Sequence, residues 1–168
     1  MIPQKTITVA IASVLAGIAI VLDAPGQSSK GSAPPDIEKA VLARLAEIQS
    51  AAQTLDADKV FSFVLENDQG ALAQNGRLLL TRSDALASTK QGFQNLQKVE
   101  YRLDPQHVTL LSPTVALVVG EGSTSATTDD GRTFTNRFVQ SVVFVLTNGE
   151  WKMFHAHRSF PPAKQVPS

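Results

Sequence analysis

Cysteine is absent from all 168 residues. That excludes disulfides, thiolate chemistry, Cys-based zinc sites and an acylated cysteine anchor. Net charge is absent too. Lys+Arg and Asp+Glu are 15 each, so no field of one sign recruits nucleic acid or an anionic lipid surface. No phosphate loop, dinucleotide fingerprint or internal repeat is visible, and no cofactor is expected. There is a single tryptophan and there are three histidines. The hydrophobic fraction of 43% suits one globular domain with a sizeable core.

The chain opens on a segment that is not expected to join that core. Lys5 precedes 6–22, a nearly uninterrupted apolar run, and Ala24-Pro25-Gly26 supplies small residues for processing. Residues 1–26 therefore read as a secretory signal, which places the mature protein in a periplasmic or extracellular compartment. The alternative is an uncleaved anchor, and a membrane enters the picture only in that case. Residues 27–35 (QSSKGSAPP) read as a flexible tether, 36–162 as the domain and 163–168 as a tail.

Within the domain, Ile37, Val41, Leu45, Ile48, Ala52 and Leu55 recur at helical spacing, which predicts an amphipathic helix over 36–55. Asp56 or Asp58 then caps a second helix running to about Glu66. Asn75-Gly76 between two short apolar runs predicts a hairpin, and Thr81 or Ser83 caps a third helix. From Val99 the period becomes two. Strands are expected over 99–111, 114–124, 133–147 and 150–160, joined at Ser112-Pro113, Asp130-Gly131 and Asn148-Gly149. This is an α+β layout, with three N-terminal helices packed in the concavity of a strongly curved, mainly antiparallel sheet.

Three stretches carry a resemblance: ARLAEIQSAAQTLDADKVFSFV, NGRLLLTRSDALASTKQGF and the closing hairpin NGEWKMFHAHRSFPP. With the order of elements, they resemble a SnoaL-like domain of the nuclear transport factor 2 superfamily over about 37–162. The resemblance implies a cone-shaped, cystatin-like roll with a pocket at its wide end. It also implies a superfamily of isomerases, dehydratases, epoxide hydrolases, cyclases and members without catalysis, often paired through the outer sheet face. Neither the epoxide-hydrolase Asp/Arg/Asp set nor the ketosteroid-isomerase Tyr and two Asp is matched here.

Two-residue loops at Asn148-Gly149 and Asp130-Gly131 would set the cross-strand rows. The rows are then Val115/Leu146/Trp151, Leu117/Phe144/Met153, Val119/Val142/His155, Glu121/Gln140/His157 and Ser123/Phe138/Ser159. Apolar rows grade into a polar one, as a pocket with a packed tip and wet mouth requires. Candidate ligand contacts are Val119, Phe138, Gln140, Val142, Trp151, Met153 and His155 from the rows, with Phe61, Phe93 and Tyr101 from the helices and first long strand. His157 beside Glu121 reads as an acid–base pair or as a structural hydrogen-bonded pair. His155 and His157 lack an evident third ligand, so no metal is expected.

Three functions fit. The first is an exported domain that binds a small apolar or amphipathic molecule, non-enzymatic or weakly catalytic. The second is a cofactor-independent acid–base enzyme of isomerase, dehydratase or cyclase type, using His157 with Glu121. The third is a dimeric interaction domain. The outer face of the last hairpin, with Val139, Val143, Val145, Phe154 and Ala156 between Arg137, Arg158 and Lys152, favours a homodimer.

Overall fold

The computed structural model describes residues 32–161. The expected signal segment, most of the tether and the tail 163–168 lie outside the described residues.

Helix α1 (Pro35–Gln53) starts on a proline whose missing N–H has no intrahelical partner to lose, with Asp36 and Glu38 in its first turn. Val41, Leu45, Ile48 and Ala52 form its buried stripe. The helix closes when Leu55 N–H donates to the Ala52 carbonyl at 3.0 Å and Asp56 N–H to the Ala51 carbonyl at 3.1 Å. Leu55 takes the left-handed conformation this closure needs, at φ 60. Just ahead of α1, residues expected to be tether are held to the sheet: Ser32 bridges Thr109, and Ala33 N–H donates to the Val108 carbonyl at 3.2 Å.

Asp56 caps α2 (Ala57–Ser62) by accepting from Lys59 N–H at 2.8 Å. This helix stops short of Glu66 for two reasons. The Arg82 guanidinium takes the Phe61 carbonyl at 2.6 Å from Nη2 and the Val64 carbonyl at 3.1 Å from Nε, satisfying acceptors that another turn would have used. The next residues run along the sheet instead, with Met153 N–H donating to the Phe63 carbonyl and Leu65 N–H to the Met153 carbonyl, each at 2.9 Å.

Strands β1 (Leu72–Gln74) and β2 (Arg77–Leu79) join at Asn75 and Gly76, with φ of 52 and 70, a type I′ turn. Thr81 caps α3 (Arg82–Phe93) by accepting from Asp84 N–H at 3.0 Å. The long strands are β3 (Leu96–Ser112), β4 (Val115–Thr128), β5 (Thr133–Thr147) and β6 (Glu150–Ser159). They form one six-stranded curved sheet in the order β2-β1-β6-β5-β4-β3. Every pair is antiparallel except β1 with β6, so the sheet is mixed. The parallel pair is the departure from a simple meander: the short hairpin docks on the free edge of β6.

Two local features correct the expected rows. Asn148 and Gly149, with φ of 51 and 79, do make the two-residue loop, and Leu146↔Trp151 and Phe144↔Met153 pair as expected. Beyond Met153 a β-bulge inserts Phe154 as an extra residue, and pairing resumes as Val143↔His155, Val142↔Ala156 and Gln140↔Arg158. The other loop spans three residues. Gly131 N–H donates to the Thr128 carbonyl at 2.8 Å, Thr128 N–H to the Arg132 carbonyl at 2.9 Å, and Gly131 takes φ 84. Glu121 therefore pairs with Val139 and Gly120 with Gln140. A one-residue slip turns a strand over.

The helices cover one face of the sheet, with α1 against β3 and β6. The buried rows on that face run Leu110–Ala116–Phe144–Met153, then Val108–Val118–Val142–Ala156, then Gln106–Gly120–Gln140–Arg158. Trp151 is buried in the apolar cluster near the Asn148–Gly149 turn, with Val41 and Phe144.

Candidate functional site

Between the helices and the inner sheet face lies a cavity of about 290 Å³. That suits a molecule built on one ring or a short chain. Leu45, Ile48 and Ala52 of α1, Val60 and Phe61 of α2 and Phe93 of α3 form the helical wall. Val99 and Tyr101 of β3, Ala126 of β4, Val142 of β5 and Met153 and Ala156 of β6 form the sheet side, and Leu72 and Gln74 of β1 close the edge. The helical stripe and the strand alternation thus direct their apolar residues into one space.

Gln74, Ser88, Thr89 and Thr124 add polar atoms to the lining, and Gln140 and Arg158 bring to it the inner row Gln106–Gly120–Gln140–Arg158. Gly120 has no side chain, and the Gln106 amide occupies the space its Cβ would take. Gln106 thereby reaches across β4: Gln140 Nε2 donates to Gln106 Oε1 at 3.0 Å, while Gln106 Nε2 donates to the Asp104 and Glu121 carbonyls at 2.9 Å each. That fixes which end of the buried Gln140 amide faces β6. Its Oε1 accepts from Arg158 Nη2 at 3.1 Å. The Arg158 guanidinium also lies over the Phe138 ring at 4.5 Å and near the Tyr101 ring at 5.5 Å. A second glycine in the adjacent row, Gly122, leaves the space that the Phe138 ring fills. On the opposite wall, the Gln49 Nε2 of α1 is buried with no hydrogen-bond partner among the described residues.

Phe61, Phe93, Tyr101, Gln140, Val142 and Met153 line the cavity. Phe138 is buried on the same face, beneath Arg158. Trp151 is elsewhere, in the packed core. Val119 lies on the outer face and is 36% exposed. His155 pairs with Val143 of the outer row, and its Nδ1 lies 2.7 Å from the Gly70 carbonyl, a structural contact. His157 pairs with outer-face Ser141, is exposed and reaches only the rim of the cavity. Glu121 stands on the outer face in an ion pair with Arg137 at 2.7 Å, and Asp104 holds the same Nη2 at 2.8 Å. Its hydrogen bonds to these carboxylates, Asp104 first, raise the Arg137 pKa above its ordinary value. The expected Glu121/Gln140/His157 row is therefore replaced by Gln106/Gln140/Arg158; only Gln140 belongs to both. Arg158 was missed because Phe154 reverses the alternation. Gln49 was missed because a glutamine beside a helical stripe carries no signal of its own.

No aspartate or glutamate among the described residues lines the cavity. Among the described residues no cluster of three or more His, Asp or Glu residues is placed to hold a metal ion.

A curved mixed sheet covered on one face by helices, with a cavity between them, defines the nuclear transport factor 2-like, or cystatin-like, α+β class. The model of the SnoaL-like domain family matches residues 41–163, and the chain belongs to that family. Among solved structures, a nuclear transport factor 2-like protein of Salmonella enterica is similar at 15% identity and TM-score 0.69, over 78% of this chain and 95% of its own. A protein of the same family from Streptomyces avermitilis, provisionally named a dehydratase, is 21% identical with TM-score 0.67, over 77% of this chain and 100% of its own. A ketosteroid isomerase-like protein of Erwinia carotovora atroseptica is 16% identical with TM-score 0.61, over 74% and 96%. At these identities the likeness is one of fold. Comparison with curated proteins found no match.

Proposed function

We propose that this chain is an exported small-molecule-binding domain, non-enzymatic or weakly catalytic, whose ligand occupies the inner cavity of a cone. The observation that carries this reading is the cavity itself: walls from three helices and five strands, mostly apolar, with a few polar groups converging from fixed positions. Export rests on the apolar run 6–22 behind Lys5. Pairing of two copies through the outer sheet face rests on the exposed apolar residues there.

The acid–base reading draws support from the names of structural neighbours and loses its pair. Glu121 is committed to Arg137 on the outer face, and no carboxylate among the described residues lines the cavity to take its place. An enzyme on this scaffold would have to work from Tyr101 or the rim residue His157.

The test is native mass spectrometry of protein recovered from its own compartment, followed by extraction and identification of what it carries. A bound small molecule in stoichiometric amount, released on denaturation and rebinding without chemical change, is the expected result. Protein that is empty on recovery and takes up nothing from an extract of that compartment would overturn the reading.

A further inference from the structure

The cavity is unbalanced in charge and in hydrogen-bonding sense. Among the described residues its lining holds one arginine and no carboxylate. Eight ion pairs join acidic and basic side chains among the described residues, and Arg158 takes part in none of them. A guanidinium carries five N–H donors. Among the described residues the Arg158 guanidinium donates one hydrogen bond, to Gln140 Oε1 at 3.1 Å. Its contact with the Phe138 ring holds it in place and uses no N–H. The amide chain behind it runs Gln140, Gln106, then two backbone carbonyls, so Gln140 cannot turn its NH₂ toward Arg158 without giving up a bond. Facing this from α1 is the unpartnered Gln49 Nε2, another donor. A half-buried cation with spare donors and a buried amide with none of its donors used are both costly unless something accepts from them.

We infer that the ligand is a small monocarboxylate with an apolar body, its carboxylate on Arg158 and the rest of the molecule along the apolar walls toward the helices. The inference rests on the small-molecule reading above and narrows it to a class. A carboxylate accepts only, matches the fork of a guanidinium and supplies the negative charge the lining lacks. The small cavity and the apolar character of Phe61, Val142 and Met153 select one ring or a short chain rather than a sugar or a nucleotide. Gln49 Nε2 would donate to a second oxygen on that body, such as a ketone or hydroxyl.

The experiment compares acids with their uncharged primary amides by calorimetric titration at neutral pH. The probes are benzoate, phenylacetate, 3-phenylpropionate, hexanoate and octanoate. The expected result is that at least one acid binds tenfold or more tightly than its amide, and that Arg158→Gln erases the difference. Arg158→Lys, which keeps the charge and loses the fork, should retain a reduced preference; it also serves if Arg158→Gln does not fold, as judged by thermal melting. Acid and amide binding equally would overturn the carboxylate inference and leave the cavity reading standing. Failure of every acid and every amide to bind would overturn both.

Discussion

Gly120 and Gly122 shape the interior of this protein more than any large residue does. They sit on the inner face of β4, where every other buried position of that strand carries a side chain. Gly120 lets Gln106 cross the strand to reach Gln140, and Gly122 makes room for Phe138, the platform under Arg158. A Cβ at 122 would lie 2.7 Å from the Arg102 carbonyl oxygen and 2.8 Å from Phe138 Cζ, with backbone on one side and a buried ring on the other. Gly122→Ala is therefore expected to destabilise the fold by about 1–3 kcal/mol in a denaturant melt, the usual cost of overpacking. A change below about 0.5 kcal/mol would mean that β4 moves freely there. Residue-level reading of the sequence placed Gln140 inward because the two-residue turn at Asn148-Gly149 fixes β5 against the first part of β6. It missed both partners of Gln140, since each depends on a feature that shifts alternation by one residue.

Those two features belong to the elements. Asp130-Gly131 looks in sequence like a two-residue type I′ loop, yet Asp129 joins it and only Gly131 takes positive φ. The longer loop is favoured by Asp130, whose carboxylate bonds the Thr128 hydroxyl and takes Arg132 Nε at 2.7 Å, contacts that also lower its pKa, the Thr128 bond first. Side chains flanking the turn decide its length, and the dipeptide alone does not encode it. The bulge at Phe154 is less legible still, because its cause is tertiary. Met153 is gripped on its far side by Phe63 and Leu65, while Ala156 N–H donates to the Ala71 carbonyl at 3.2 Å. The one extra residue takes up the mismatch between the two edges of β6. The helices were more legible, as stripe, caps and the prolines before α1 all act within a few residues. Two glycines test the element reading in opposite directions. Gly131→Ala, at φ 84, should cost about 1–2 kcal/mol in a thermal or denaturant melt. Gly92→Ala, inside α3 with open space around its Cβ, should raise stability by about 0.5–1 kcal/mol. Equal effects at the two positions would contradict the assignment of loop and helix.

At the scale of the whole molecule, the sheet has two faces, and the structure gives the helices only one of them. The outer face presents Val119, Val139 and Phe154, which are 36%, 48% and 38% exposed, together with half-buried Leu117, Val143 and Val145. The Asp104–Arg137–Glu121 cluster borders the patch at one end and the Lys152–Glu150 pair, at 3.0 Å, at the other. Two residues assigned to this patch from the sequence leave it: Ala156 and Arg158 turn inward beyond the bulge, and His155 and His157 take their places in the outer rows. A stable isologous contact hides about 800 Å² on each partner, with an apolar centre and a charged rim. Phe154 stands near the middle of the patch because the bulge presses it out of the sheet. Phe154→Glu would bury a carboxylate in any face-to-face pair, while in a monomer it would remain in water and cost little. Light scattering of the domain should therefore give twice the chain mass for the unaltered protein and the single-chain mass for Phe154→Glu. Leu78→Glu, 58% exposed on the far edge strand β2, should leave the pair intact. A monomeric unaltered protein, or a pair that survives Phe154→Glu, would remove this face as the interface and leave the exposed valines without a partner.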